Sequence, residues 1–173
     1  LKAVIPGGSS VPILLPDQLD TQASFDAIVK AGSMLGSAGA IVLDDTTCMV
    51  RVGCVITYFF RDESCGQCTQ CREGTGWLNK IMQRIERGAG SLADIDILLD
   101  VAGKMEGQTI CAFADAAAWP VQGLLRHFRE DFEAHVTHGK CPFPQICGSG
   151  CQTLPAAGIN RSWVRAAAAG PRR

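Results

Sequence analysis

The sequence predicts an α+β chain in which a small strand-and-helix unit precedes a mainly α-helical bundle. Three observations carry this expectation. Short apolar runs separated by glycine and proline turns fill the N-terminal quarter, as a small sheet requires. Beyond Gly74, apolar residues recur at helical spacing through three successive segments. Between these regions lies the run Cys65-Gly66-Gln67-Cys68-Thr69-Gln70-Cys71, whose composition fits a tight loop or an opening helical turn.

Taken in order, Leu1 to Ile5 alternates loosely as a strand and ends in Pro6-Gly7-Gly8-Ser9-Ser10, which is turn chemistry. The chain opens on Leu1 inside that strand, so it is expected to be part of a longer protein. Phe25 to Ala31 reads as a short helix started between Thr21 and Ser24. Ala40 to Asp44, bounded by Gly39 and two aspartates, reads as a buried strand. Cys48 to Phe60 is ambiguous. Its β-branched content favours a strand, whereas Met49, Val52, Ile56, Phe59 and Phe60 fall at helical spacing, towards which the reading leans. Cys48 and Cys54 read as small packing residues.

The next helix is expected to bury Trp77, Leu78, Ile81, Met82 and Ile85 and to stop at Gly88. Ser91 can cap another, with Asp94 near its positive end and Leu92, Ile95, Leu98, Leu99 and Ala102 inward. Pro120 suits the first turn of a last helix with an apolar face of Val121, Leu124, Leu125, Phe128, Phe132 and Val136. Trp77 and Trp119 are read as core, and His127, His135 and His138 as surface residues.

The cysteine triple has C-x2-C-x2-C spacing, and Cys111 lies forty residues beyond Cys71 in the connection between two predicted helices. Sulfurs at i, i+3 and i+6 can meet three corners of a cubane, and a cysteine from elsewhere must close the fourth. Zinc modules usually present two facing C-x2-C knuckles, whereas this chain has one triple and one single. The spacing therefore favours one 4Fe-4S cluster on Cys65, Cys68, Cys71 and Cys111 over zinc or plain buried thiols. Folding the chain back on three helices would bring Cys111 over the triple.

Composition bounds the alternatives. In 173 residues, 47% hydrophobic content can support a core, and a net charge of -1 gives no electrostatic footprint for nucleic acid. Nine cysteines would suit a secreted disulfide framework. Their clustering at metal-like spacing, with no signal peptide in view, fits a reducing compartment better. No apolar stretch approaches the ~20 residues needed to span a bilayer, so no direct membrane span is expected.

Several segments together carry a family resemblance. They are Ala3-Val4-Ile5-Pro6-Gly7-Gly8-Ser9-Ser10, Glu63-Ser64-Cys65-Gly66-Gln67-Cys68, Cys71-Arg72-Glu73-Gly74, Glu106-Gly107-Gln108-Thr109-Ile110-Cys111 and Ala118-Trp119-Pro120-Val121-Gln122-Gly123-Leu124. From Leu1 to about Val136 the chain resembles the C-terminal part of the FMN- and NADH-binding flavoprotein subunit of respiratory complex I, the NADH-quinone oxidoreductase. The resemblance implies that residues 1–45 are the end of a ubiquitin-like β-grasp (SLBB-type) domain and that residues 46–138 are a helical iron-sulfur domain. It makes the segment after Thr46 helical, and it matches Cys65, Cys68, Cys71 and Cys111 to the family's four ligand positions. It also places Ala112 and Phe113 near the flavin.

The implied chemistry is electron transfer from NADH through FMN to the 4Fe-4S cluster, then to further iron-sulfur centres and quinone. The implied partners are other peripheral-arm subunits, notably a 2Fe-2S subunit and a multi-cluster subunit. The implied location is the cytoplasmic face of a bacterial inner membrane or the mitochondrial matrix side. The NADH and FMN segment belongs upstream of Leu1 in that family, so this chain alone is not expected to be active. Gly66 and Gly74 would permit close backbone approach to the sulfurs, and Arg72 reads as a solvated surface residue. From Gly139 the resemblance ends, and residues 139–173 are expected to form a disordered tail in which Cys141, Cys147 and Cys151 are mobile thiols. Two other readings remain: a zinc-binding structural module, and the flavoprotein subunit of an NAD-linked formate dehydrogenase or hydrogenase.

Overall fold

The computed structural model describes residues 1–143. The expectations for Cys147, Cys151 and the rest of the tail lie outside the described residues. Strand β1 (Ala3–Ile5) pairs antiparallel with β2 (Ile41–Leu43), in the register Ala3 to Leu43, Val4 to Val42 and Ile5 to Ile41. Val4 also exchanges both backbone hydrogen bonds with Leu14, which draws residues 11–15 onto the other side of β1. The α+β expectation holds in this coarse form: a small two-stranded sheet beside a mostly helical chain.

Between the strands, helix α1 (Phe25–Lys30) starts where Ser24 Oγ accepts a hydrogen bond from Ala27 N. Gln18, at the end of the 3-10 turn Pro16–Gln18, donates from Nε2 to the Ala31 carbonyl and closes the other end of α1. Strand β2 is less buried than its apolar sequence suggests, for Val42 is 67% exposed and only Leu43 faces the core. The reason is topological. β2 has a partner strand on one side only, and no layer of described residues covers its outer face.

The bundle consists of α2 (Met49–Glu63), α3 (Thr69–Glu86), α4 (Leu92–Met105) and α5 (Phe113–His138). The ambiguous segment is helical, as the apolar spacing favoured. Met49, Val50, Cys54, Ile56 and Phe60 are buried there because tertiary packing of one face outweighs weak β-branched propensity. Cys48 caps α2, with its Sγ accepting from Arg51 N at 3.4 Å. Burial, followed by the Glu86 carboxylate, pushes the Cys54 thiol well up, so it packs as a neutral side chain.

Leu78, Ile81, Met82 and Ile85 are inward on α3, but Trp77 is 52% exposed. It stands about 100° around the helix from Leu78, outside the stripe that meets α2 and α4. On α4, Ile95, Leu98, Ala102 and Met105 are inward, while Leu92 and Leu99 lie towards solvent for the same angular reason. Ser91 and Asp94 form the expected cap, with Ser91 N donating to Asp94 Oδ2 at 2.7 Å.

Helix α5 begins seven residues before Pro120, which lies inside it. The run Ala114 to Ala118 combines high helix propensity with burial of Ala114, Ala117 and Ala118, which offsets the hydrogen bond lost at the proline. The backbone leaves helical values at Phe128, and the helix ends at Gly139 in a left-handed conformation. His135 is fully buried, contrary to the surface expectation, because its ring fills the space between α5 and the start of α2.

A buried polar bridge joins α2 to α3. Asn79, 0% exposed, donates to Thr57 Oγ1 at 3.2 Å and to the Cys54 carbonyl, and it accepts from Arg61 and Gln83. Each polar atom is thus satisfied without water.

A contrast between adjacent residues tests this packing. Leu78→Ala is expected to lower unfolding stability by about 2–5 kcal/mol, and Trp77→Ala by less than about 1 kcal/mol. Denaturant titration of both variants checks it, and equal losses would contradict the exposed position of Trp77.

Candidate metal centre

The cysteine triple occupies the turn from α2 into α3. Cys65 is exposed on the loop, Cys68 is the N-cap of α3, and Cys71 is buried in its first turn. Ser64 organises this loop. Its hydroxyl oxygen accepts from Gly66 N at 3.3 Å and lies 3.3 Å from Cys71 Sγ, a pair in which either group can donate and in which a thiolate would receive the Ser64 O–H. Gly66 has a positive φ of 78°, and its carbonyl accepts from Arg72 Nη1 at 2.8 Å. Arg72 also bonds Glu73 and keeps its side chain half exposed, so it is a surface residue that additionally restrains the loop.

Cys111 lies in the connection from α4 to α5 and is exposed. Four hydrogen bonds order that connection. Glu106, the C-cap of α4, accepts from Trp119 Nε1 at 2.7 Å and from Gln122 Nε2 at 2.9 Å. The Gln122 bond and then the Trp119 bond hold the Glu106 carboxyl below its usual range. Gly107 N donates to Asp115 Oδ1 at 2.6 Å, and Thr109 Oγ1 donates to the carbonyl of Cys111. Trp119 is therefore a polar clasp as well as a partly buried ring.

Two contacts bring the triple and the Cys111 connection to one end of the bundle. Phe60, near the end of α2, packs edge-to-face on Phe113 at 5.4 Å. Gly74, one turn into α3, lies so close to Met105 at the end of α4 that a β-carbon would collide with the methionine sulfur. Gly74 thus serves helix packing, where the sequence suggested approach to the sulfurs. α3 and α5 both begin beside the cysteines, so their positive N-terminal ends favour negative charge at this end.

The donor set is four soft sulfurs on two segments, which suits an iron-sulfur cluster. No three of the four sulfurs lie within 4.8 Å of one another among the described residues, so they are too spread to share a single ion. A cubane carries an iron at each of four corners and holds its thiolates farther apart than one ion does.

Sequence reasoning did not single out Ser64, Glu106 or Asp115. Their roles rest on partners two to sixteen residues away across turns, for which spacing alone gives no signal. It also missed a second group of possible ligands, Cys48, His135 and Cys141, whose sulfurs and ring nitrogen lie within 4.8 Å of one another. Cys141, expected as a mobile thiol, packs against the core there.

Comparison with known proteins bears on the helical part of the chain. Residues 53–135 match the family described as the NADH-ubiquinone oxidoreductase-F iron-sulfur binding region. The chain is 50% identical over 136 residues to the F subunit of the NADH-quinone oxidoreductase of Rickettsia massiliae, covering 79% of this chain and 32% of that protein. It is 48% identical over 143 residues to the corresponding F subunit of Mycobacterium tuberculosis, covering 83% and 32%. Among solved structures, a chain of an NAD+-reducing NiFe hydrogenase in the H2-reduced state superposes with a TM-score of 0.70 at 30% identity, over 78% of this chain and 23% of that one. The chain spans about a third of the length of the curated relatives it matches. The helical part that carries both cysteine segments is therefore the part that matches the NADH-ubiquinone oxidoreductase-F iron-sulfur binding region.

Proposed function

We propose that the complete protein is the NADH-oxidising flavoprotein subunit of a complex I-type NADH-quinone oxidoreductase and that this chain is its cluster-binding portion. Electrons would pass from NADH through FMN to a 4Fe-4S cluster and onward to other iron-sulfur centres and quinone. The observation that carries this reading is the meeting of the 65–71 turn and the Cys111 connection at one end of the bundle, inside the matched region 53–135.

In this reading Cys65, Cys68, Cys71 and Cys111 hold the cluster. The chain's own tasks are to fix four thiolates, exclude water and supply polar hydrogens to sulfur, because these terms set the potential. Buried Cys71 and the Phe60–Phe113 pair support water exclusion on the inner side. The Ser64 hydroxyl supports a bond to the Cys71 sulfur. Ala112 and Phe113 would face the flavin, which the exposure of Cys111 and the 82% exposure of Ile110 support by leaving that side uncovered.

Residues 1–45 would be the end of a ubiquitin-like β-grasp domain of the SLBB type, and residues 46–138 the cluster domain. Partners would be a 2Fe-2S subunit and a multi-cluster subunit of a peripheral arm, at the cytoplasmic face of a bacterial membrane or the matrix side of a mitochondrial one. Among the described residues no helix is long and apolar enough to cross a membrane. A second reading, the flavoprotein subunit of an NAD-linked hydrogenase, draws support from the NAD+-reducing hydrogenase that shares the fold. The two readings use the same cluster residues and differ in the acceptor.

The test is anaerobic reconstitution with iron and sulfide, followed by metal analysis and low-temperature EPR after dithionite reduction. The expected result is four irons per chain with the fast-relaxing signal of a reduced cubane. Cys111→Ala is expected to lose the intact cluster or leave a labile three-iron form, and Cys141→Ala to keep full iron. If both variants retained iron alike, the ligand assignment would be wrong.

Ser64→Ala should keep four irons yet move the midpoint potential to a more negative value, because a hydrogen bond to a cluster sulfur stabilises the reduced state. Redox titration followed by EPR reads this shift, and an unchanged potential would remove Ser64 from the tuning set.

A further inference from the structure

At the opposite end of α2 from the triple, about 22 Å away by the rise of its 15 residues, a second set of soft ligands converges. Cys48 Sγ, a ring nitrogen of His135, and Cys141 Sγ lie mutually within 4.8 Å, although His135 and Cys141 are 87 and 93 positions from Cys48 in the chain. We infer that Cys48, His135 and Cys141 form a mononuclear binding site for a soft divalent cation, Zn2+ in particular, separate from the iron-sulfur site.

The orientation of the imidazole is the strongest argument. His135 Nδ1 lies 2.6 Å from the backbone carbonyl of Asp131, one helical turn earlier, and a carbonyl can only accept. Nδ1 therefore carries the proton, and Nε2 presents its lone pair 3.4 Å from Cys48 Sγ. A carbonyl holding the far nitrogen of a histidine is the usual outer support of a zinc-binding imidazole, because it fixes both tautomer and ring plane. The ring is fully buried, so its orientation is fixed by these contacts rather than by solvent.

The sulfurs are placed with equal economy. Cys48 is the N-cap of α2, where the first free N–H groups and the helix dipole favour a negatively charged sulfur, and Arg51 N already points at it. Cys141 arrives because Gly139 ends α5 with a φ of 62°, a left-handed conformation that turns the chain back towards His135. Two thiolates and one imidazole make a donor set of two sulfurs and one nitrogen, which fills three of the four tetrahedral positions that zinc takes. Ligands drawn from the start of α2, from α5 and from the segment after α5 would fasten the C-terminal end of the bundle.

Lys2 reinforces the same corner, since its ammonium pairs with Asp131 at 2.5 Å, donates to the Thr47 carbonyl and lies 4.5 Å from the centre of the Phe143 ring. The sheet, the start of α2 and the end of α5 thus already meet where the ion would bind. The iron-sulfur reading uses none of these three ligands.

The experiment is metal analysis of the full chain, purified anaerobically and reconstituted with iron and sulfide, then supplied with Zn2+ and separated from free metal. The expected result is one zinc per chain beside the iron. Cys141→Ser should weaken zinc binding by about 100-fold or more, beyond the loss of an outer partner, with iron unchanged, whereas Cys111→Ala should lose iron and keep zinc. Co2+ in place of zinc should give a thiolate-to-cobalt charge-transfer band in the near ultraviolet that Cys141→Ser abolishes. Wild-type protein that takes up neither metal at this site, zinc content that Cys141→Ser leaves unchanged, or a Cys48–Cys141 disulfide in the anaerobic protein would each overturn the site.

Discussion

Helix α5 packs against α2, α3 and α4 in turn, with Ala114, Ala117, Ala118, Val121 and Leu124 all buried along its inner stripe. Small side chains at the start of this stripe let the α5 backbone lie close to its neighbours, where each larger residue would force the helices apart. Pro120 falls within the same stripe and is tolerated because the surrounding contacts hold the helix on both sides of the missing hydrogen bond. Without that packing the Cys111 connection would have no fixed relation to the turn between α2 and α3, and His135 would have no buried space to enter.

The bundle has two chemically distinct ends. At one, the exposed Cys65 and Cys111, the half-exposed Cys68 and the buried Cys71 gather around the starts of α3 and α5, and the polar contacts of Ser64, Arg72, Glu106 and Asp115 restrain loops rather than fill a core. At the other, a cysteine and a histidine are buried among aromatic and charged groups that tie the sheet to the helices. Rigid helices between the two ends set the loop geometry at one and the ligand convergence at the other. The Gly74–Met105 contact shows how tightly the first end is determined, since α3 and α4 touch there with no room for a side chain.

Much of this is legible in the residues. Helical spacing locates α3, α4 and α5, the Ser91 and Asp94 pair marks a helix start, and the C-x2-C-x2-C run with a distant fourth cysteine points to iron-sulfur chemistry without reference to any fold. Apolar periodicity reports which residues can share a face, but it does not say how wide the buried stripe will be. Trp77, Leu92 and Leu99 stand at inward spacing and yet lie towards solvent for that reason. Likewise a proline marks a favoured helix start, yet the alanine run before it extends α5 by seven residues because its burial outweighs the local signal.

The sequence by itself determined the ligand chemistry, the helical class of the bundle and the order of its elements, because those depend on residue type and on spacing within one turn or one loop. Only the tertiary structure decided that the Cys111 connection meets the Cys65 turn, that Glu106 clasps Trp119 and Gln122, and that Cys48, His135 and Cys141 converge. Each of these joins residues of different elements, and their proximity is set by how whole helices pack, a property that no local pattern encodes.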